Sequence, residues 1–243
     1  MDIVLIPGMW LDGSSWKRVT PALEQAGHRT HPLTLPGLES LGADRSSVTL
    51  ADHVAAVVAA VDAVPGTDPV VVVGHSMGAA LAYASVDARP DRIGRAIYIG
   101  GFPAGDGDVL IGGYQATGGE IPLPAWTEFD DEELDGLDET ERRRFRESAV
   151  PTPEGVARGT QALSDERRFA VPVTMVCTEF SAAQLRAWIE AGEPPVQEFR
   201  KFDDVEYVDL PTGHWPQLSR PDELAAMIAS AADRTRAAGP GAP

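Results

Sequence analysis

A run of four consecutive valines, Val70–Val73, leads directly into Gly74-His75-Ser76-Met77-Gly78, and a helical pattern follows. Four β-branched residues in succession are typical of a central strand that is buried on both faces. A strand that turns into a helix within one residue strains the backbone of the serine, and it requires small residues at positions 74 and 78. The serine side chain then projects beside a helix N-terminus, which favours developing negative charge. We therefore predict that Ser76 is a nucleophile.

Short apolar runs alternate with helical patterns along most of the chain. The predicted strands are Ile3–Ile6, Thr30–Leu35, Val70–Val73, Ile93–Ile99, Val171–Cys177 and Val205–Leu210. The predicted helices are Ser14–Gln25, Leu50–Val64, Met77–Ala88, Ala182–Ala191 and Pro221–Arg236. This alternation predicts an α/β fold with a mostly parallel central sheet and helices on both faces.

One stretch, residues 103–169, interrupts this alternation and is called the insertion below. It contains the glycine pairs at 112–113 and 118–119 and a charged segment, Glu128–Glu147, that is acidic first and basic later. The insertion lies between the fourth and fifth predicted strands, at the end of the sheet where α/β proteins bind ligands. We therefore predict a small helical cap, with a solvated helical face as the alternative. Residues 1–102 and 170–236 form the predicted core, and 237–243, made of Ala, Gly and Pro, are expected to be disordered.

The composition limits the partners and the location of the protein. With 37 acidic and 20 basic residues among 243, the formal net charge is −17, which argues against nucleic acid and anionic membranes. The single cysteine, Cys177, excludes an intramolecular disulfide and a cysteine metal cluster. No apolar run is long enough to span a bilayer and no signal peptide is evident, so we expect a cytoplasmic protein. We predict a small-molecule substrate and neither metal nor cofactor, and a homodimer remains open.

A serine needs a base to become a nucleophile at neutral pH. Of the five histidines, His214 follows the last predicted strand, in a loop rich in Gly and Pro, and we predict that it is the base. His75 lies inside the serine motif, where a packing role is the better interpretation. An oxyanion hole also needs two backbone donors. We predict the N–H of Met77, directly after the serine, and that of Met9, in the loop after the first strand.

These motifs resemble the α/β-hydrolase superfamily. The matching stretches are IPGMWLDGSSW from residue 6, TLPG from 34, VGHSMG from 73 and LPTGHWPQL from 210. They are similar to small single-domain actinobacterial hydrolases and, more distantly, to plant methyl esterases and hydroxynitrile lyases. Many relatives have His-Gly after the first strand, where this chain has Pro7-Gly8. The resemblance implies the same fold, and the order of Ser76 before His214 agrees with it.

The resemblance also places a catalytic acid after the strand equivalent to Val171–Cys177. Glu179 is the natural candidate there, because a carboxylate would orient the imidazole and stabilise its cation. Its position is one residue out of register with the family Asp. Asp106 and Asp108 are alternatives, and Glu179 could instead cap the helix that follows.

Apolar side chains near the predicted site indicate the kind of substrate. We expect Trp10, Phe102 and Trp215, with the two methionines, to line a cleft that Tyr114 and Trp126 roof, although each could equally be core. Such a cleft favours hydrolysis of an uncharged, apolar carboxylic ester, lactone or thioester. Two alternatives stay open: a lyase or cyclase acting on a natural-product intermediate, and a binding protein without catalysis.

Overall fold

The computed structural model describes residues 1–237 and contains one six-stranded parallel sheet. The eight strands of the described chain are β1 Asp2–Ile6, β2 Arg29–Pro32, β3 Val70–His75, β4 Ile93–Ile99, β5 Glu120–Ile121, β6 Thr152–Pro153, β7 Val173–Cys177 and β8 Val205–Asp209. The order in the large sheet is β2-β1-β3-β4-β7-β8, and β5 pairs with β6 in a separate antiparallel ribbon. The predicted parallel sheet is confirmed, and the valine strand lies at its centre.

Helices cover both faces of this sheet, as predicted. They are α1 Thr20–Gln25, α2 Leu50–Ala63, α3 Gly78–Ala88, α4 Glu139–Ser148, α5 Glu154–Ala157, α6 Ala182–Ala191, α7 Pro216–Ser219 and α8 Pro221–Ala237. Val71 and Val73 point to a buried cluster that includes α1 and α8, whereas Val70 and Val72 point to the cluster formed with α2 and α3. Alternate valines therefore fill two cores, which explains why the whole strand is apolar.

The predicted helix Ser14–Gln25 is wrong. A 3-10 turn, Gly13–Trp16, comes first, and α1 begins only at Thr20. Pro21 explains the break, because proline lacks an N–H and fits only the first turn of a helix. Two strand ends also differ, since β2 stops at Pro32 and β7 starts at Val173.

The insertion packs on the sheet end where the serine lies. It contains the β5–β6 ribbon, α4 and α5, and its buried Phe129 and Phe145 contact Trp215 at ring-centroid distances of 5.5 and 5.2 Å. The tail expected to be disordered lies outside the described residues, except for Ala237, which ends α8. No helix within residues 1–237 combines the length and apolarity that crossing a bilayer requires.

Candidate active site

The serine motif forms a sharp turn between β3 and α3. Ser76 has a φ of 54°, and it is one of two non-glycine residues with positive φ in residues 1–237. A Cβ atom on Gly74 would lie 2.2 Å from the carbonyl oxygen of Gly78, and one on Gly78 would lie 2.7 Å from that of Ile6. Both distances are far below a normal contact, so the turn admits only glycine at these two positions.

Three predicted residues form one hydrogen-bonded chain at this turn. Ser76 Oγ lies 2.8 Å from His214 Nε2, and His214 Nδ1 lies 2.6 Å from Glu179 Oε1. The His214 and Glu179 side chains are only 17% and 18% exposed, so solvent screens their interaction weakly. The order of groups is that of a nucleophile, its base and the acid that orients the base.

The structure does not support the alternative candidates for the catalytic acid, or a capping role for Glu179. Asp106 accepts a hydrogen bond from the Leu163 N–H, and Asp108 accepts one from the Gly105 N–H. Neither aspartate hydrogen-bonds to the imidazole. Ser181, rather than Glu179, caps α6. The structure therefore brings Glu179, and neither aspartate, to His214.

The pKa values of this pair are coupled through their contact. Burial alone would raise the pKa of Glu179, but hydrogen bonds from His214 and Thr178, together with the charge of the imidazolium, lower that pKa to about 2. Burial opposes protonation of His214, yet the Glu179 carboxylate raises the pKa of His214 above its usual 6.5, with a further contribution from Glu133. Glu179 is therefore ionised at neutral pH, and its charge favours the protonated form of His214.

His75 supports the loop that carries the base. Its Nε2 atom lies 2.7 Å from the His214 carbonyl oxygen, and its Nδ1 atom lies 3.3 Å from Gln217 Nε2. Complete burial, together with the nearby His214, lowers the pKa of His75 to about 3. The neutral ring can donate to the carbonyl while accepting from Gln217. This arrangement agrees with the packing role inferred from the sequence.

The insertion contacts the other side of this loop. The backbone N–H of His214 donates to the Glu133 carbonyl at 2.8 Å, and that of Gly213 donates to the Asp135 carbonyl at 3.1 Å. A Cβ atom on Gly213 would lie 2.3 Å from the Glu133 oxygen. Glycine therefore permits the close approach through which the insertion fixes the histidine loop.

The two predicted oxyanion donors lie beside the serine. Met9 and Met77 both line the same cavity as Ser76, and neither backbone N–H donates to another group within the described residues. Gly8 allows the β1 loop to come close, because a Cβ atom there would be 2.8 Å from the Ser76 Cβ. Two uncommitted N–H groups next to a nucleophile can stabilise an oxyanion.

The cavity above Ser76 has a volume of about 650 Å³ and a largely apolar wall. Four residues that the sequence analysis assigned to the cleft or its roof line this cavity: Trp10, Phe102, Tyr114 and Trp215. Trp126 does not line it. That residue lies behind the wall, with its ring centroid 6.2 Å from Trp215.

The sequence analysis missed several residues of this wall. The aromatic ones are Phe129, Phe180 and Trp188. Phe180 directly follows Glu179 in the loop after β7, a position that could have identified it, whereas the other two have no local signal. The wall contains three carboxylates and neither Lys nor Arg; the carboxylates are Asp108, Glu133 and Glu179. Within residues 1–237, no group of three or more His, Cys, Asp or Glu side chains is arranged to bind a metal ion.

Known proteins resemble this chain, either along almost its full length or over part of it. The model of the alpha/beta hydrolase family matches residues 3–227. A carbendazim hydrolyzing esterase of Nocardioides sp. is 27% identical over 94% of this chain and 98% of its own length. Methylesterase 8 of Arabidopsis thaliana is 30% identical over 41% of this chain and 37% of its own length.

Solved structures agree with these sequence matches. An extracellular alpha/beta-hydrolase from a Paenibacillus species superposes with a TM-score of 0.77 at 18% identity, covering 95% of this chain and 98% of the other. A methylesterase from Arabidopsis superposes with a TM-score of 0.75 at 18% identity, covering 96% and 99%. At this identity, the structures support the fold.

Proposed function

The chain belongs to the alpha/beta hydrolase family, and on that premise we propose that it hydrolyses an uncharged, apolar carboxylic ester, lactone or thioester through an acyl-enzyme on Ser76. The observation that carries the proposal is the hydrogen-bonded chain of Ser76, His214 and Glu179, which opens into a cavity beside two free backbone N–H groups. The esterase and methylesterase relatives support the choice of reaction.

The first half of the reaction acylates the serine. Ser76 Oγ bonds to the carbonyl carbon of the substrate while His214 Nε2 takes the hydroxyl proton. The carbonyl electron pair moves onto its oxygen, which the N–H groups of Met9 and Met77 stabilise. When the C=O bond re-forms, the bond to the leaving group breaks, and the leaving oxygen or sulfur takes the proton from His214.

The second half releases the acid. His214 takes a proton from a water molecule, whose oxygen bonds to the acyl carbon. The tetrahedral intermediate then collapses, and Ser76 Oγ leaves with the proton from His214. The free carboxylic acid ionises, and the site returns to its starting state. Glu179 stays ionised throughout and stabilises the imidazolium in both halves.

The cavity supports an uncharged substrate. Its volume is within the range of sites for drug-sized molecules, and aromatic side chains supply much of its wall. No cationic side chain there could pair with a substrate anion, whereas Asp108 and Glu133 would repel one. A neutral ester would pack against the apolar wall, and these carboxylates would not repel it.

The decisive experiment combines a fluorophosphonate label with turnover of p-nitrophenyl acetate and butyrate. Intact mass and peptide mapping should locate one adduct on Ser76. Ser76→Ala and His214→Ala should each lower kcat by roughly 10⁶-fold, since these residues act as a unit. Ser85→Ala is the matched control, because Ser85 is buried on α3 and its hydroxyl bonds only to the Ala82 carbonyl.

Activity close to wild type is expected for the control. A folded protein that neither takes the label nor turns over either ester would contradict the proposal. That result would favour lyase or cyclase chemistry, or ligand binding without catalysis, on the same scaffold.

A further inference from the structure

The second strained residue of the described chain is Trp10, directly after the proposed oxyanion donor Met9. Its φ is 62°, in the left-handed region that disfavours a bulky side chain. Trp10 is only 4% exposed. Such a conformation persists only when the surroundings fix it, and strained positions cluster at functional sites.

Three hydrogen bonds fix Trp10, and all of them come from the insertion. Its backbone N–H donates to Thr152 Oγ1 at 3.0 Å, and its indole Nε1–H donates to the Ile121 carbonyl at 3.1 Å. Its carbonyl accepts from the Val150 N–H at 3.0 Å. Ile121 and Thr152 face each other across the β5–β6 ribbon, and both are fully buried. One rung of this ribbon therefore binds both the backbone and the side chain of Trp10.

We propose that Thr152 is a positioning residue for the oxyanion hole, an inference that rests on the proposed function. The Thr152 hydroxyl is the acceptor for the peptide N–H between Met9 and Trp10, and it stabilises Trp10 in its left-handed conformation. The N–H and the carbonyl of Trp10 belong to the peptide groups on either side of it, so these bonds fix both groups. The Met9 N–H lies in the next peptide group back along the chain, and we expect the anchored Met9–Trp10 peptide to hold it towards the substrate carbonyl before the reaction starts, which is the condition for efficient stabilisation.

The hydroxyl can be separated from the packing role of the side chain. Thr152→Val keeps the shape of the residue and leaves the Trp10 N–H buried without an acceptor, whereas Thr152→Ser keeps the acceptor. The oxyanion is absent from the bound ester and develops in the transition state that leads to the tetrahedral intermediate, so weaker stabilisation of it lowers kcat and leaves KM nearly unchanged. We expect Thr152→Val to lower kcat for p-nitrophenyl butyrate roughly 10- to 100-fold, less than complete loss of a donor, and Thr152→Ser to retain most of kcat.

Thr174→Val is the matched control for a lost buried hydroxyl. Thr174 lies on β7 with 1% exposure, accepts from Arg95 at 3.0 Å and donates to Glu206 at 3.1 Å, away from the cavity. Thermal melts should show that both valine variants lose stability, whereas only Thr152→Val loses kcat. Equal loss of kcat in the two variants, or none in Thr152→Val, would overturn the inference.

A second readout does not depend on turnover. The Trp10 indole N–H bonds to the Ile121 carbonyl, which Thr152→Val leaves unchanged. If Thr152 fixes the loop, the exchange of that indole proton, followed by NMR, should become at least about fivefold faster in Thr152→Val, because the loop opens more often. Unchanged exchange would overturn the inference. Wild-type protein without ester turnover would contradict the proposed function instead, and the exchange rates would still decide the role of Thr152.

Discussion

Replacing Glu179 with glutamine tests how the site activates its base. The substitution keeps the shape of the side chain and removes one negative charge 2.6 Å from His214 Nδ1. The amide must also replace a carboxylate that accepts from both His214 and the Thr178 hydroxyl. An amide has a single acceptor oxygen, so His214 and Thr178 can no longer each donate to an oxygen of their own, and the amide NH2 must face one of them.

The magnitude of the effect follows from the burial of the pair. Glu179 and His214 are less than one-fifth exposed, so an effective dielectric constant of about 20 applies and two unit charges at about 4 Å interact by roughly 4 kcal/mol. This interaction exists only when the imidazole is protonated, as it is in the transition state. Its loss corresponds to roughly a thousandfold decrease in kcat, at about 1.4 kcal/mol for each factor of ten.

Glu179→Gln should also change the pH dependence of kcat/KM, independently of the lower rate. The base must be neutral to accept a proton, and the carboxylate raises the pKa of His214 above 6.5. Wild-type kcat/KM should therefore fall as pH decreases through that raised pKa. In Glu179→Gln the pKa of His214 drops, so the acid limb should move to lower pH while the plateau decreases. The variant is then slower and less sensitive to acid.

Ester hydrolysis followed by pH-stat between pH 5 and 9 measures both effects. Glu190→Gln on α6 is the matched control, because that carboxylate is exposed and does not line the cavity. The control should keep the wild-type plateau and limb. A Glu179→Gln variant that retained its plateau within tenfold, or whose acid limb stayed in place, would refute the electrostatic reasoning.

Two further predictions test the packing around Ser76 and the electrostatic effect of Glu133 on His214. Gly101→Ala should abolish ester turnover and lower the free energy of unfolding by roughly 3 kcal/mol, because the new Cβ would lie 2.2 Å from the Ser76 carbonyl oxygen. Gly112→Ala is the control: a Cβ there would have nothing within 4 Å, so thermal melts and turnover should stay unchanged. Equal effects of the two substitutions would contradict the packing argument. Glu133→Gln should shift the acid limb of kcat/KM to lower pH by a few tenths of a unit, because Glu133 raises the pKa of His214. Glu132→Gln, at an exposed neighbouring position, is the control, and coinciding pH profiles of the two variants would contradict this prediction.

The core of the fold could be predicted, and Ser76 proposed as the nucleophile, because their signals are local. Alternation of β-rich and helical segments gave five of the six sheet strands within about two residues, and the glycines around Ser76 allow only one backbone geometry. The position of His214 after the last strand is also readable from the chain. Glu179 required the resemblance to known hydrolases, because a lone carboxylate before a helix is equally typical of a cap.

The rest of the site depends on contacts between distant segments. The ribbon that binds Trp10 consists of two strands of two residues each, Glu120–Ile121 and Thr152–Pro153, which are too short to produce a periodic pattern. Long-range packing also decides which aromatic side chains reach the cavity. Trp126 and Phe129 are three residues apart, yet only Phe129 reaches the cavity.

The hydrogen bonds of the insertion connect it to both loops of the proposed catalytic site, so it does more than cover that site. Its carbonyls at 133 and 135 accept from the loop of His214, while Ile121, Val150 and Thr152 bond to Trp10 beside the oxyanion donor. If the insertion swung away as a rigid lid, both loops would lose these hydrogen-bond partners, and their geometry would no longer be fixed. The exposed Val109 and Trp188, 53% and 36% accessible, mark where the cavity meets solvent without such a movement. A substrate can therefore enter while His214 and the proposed oxyanion donors keep their geometry, which is the preorganisation that the proposed acyl transfer requires.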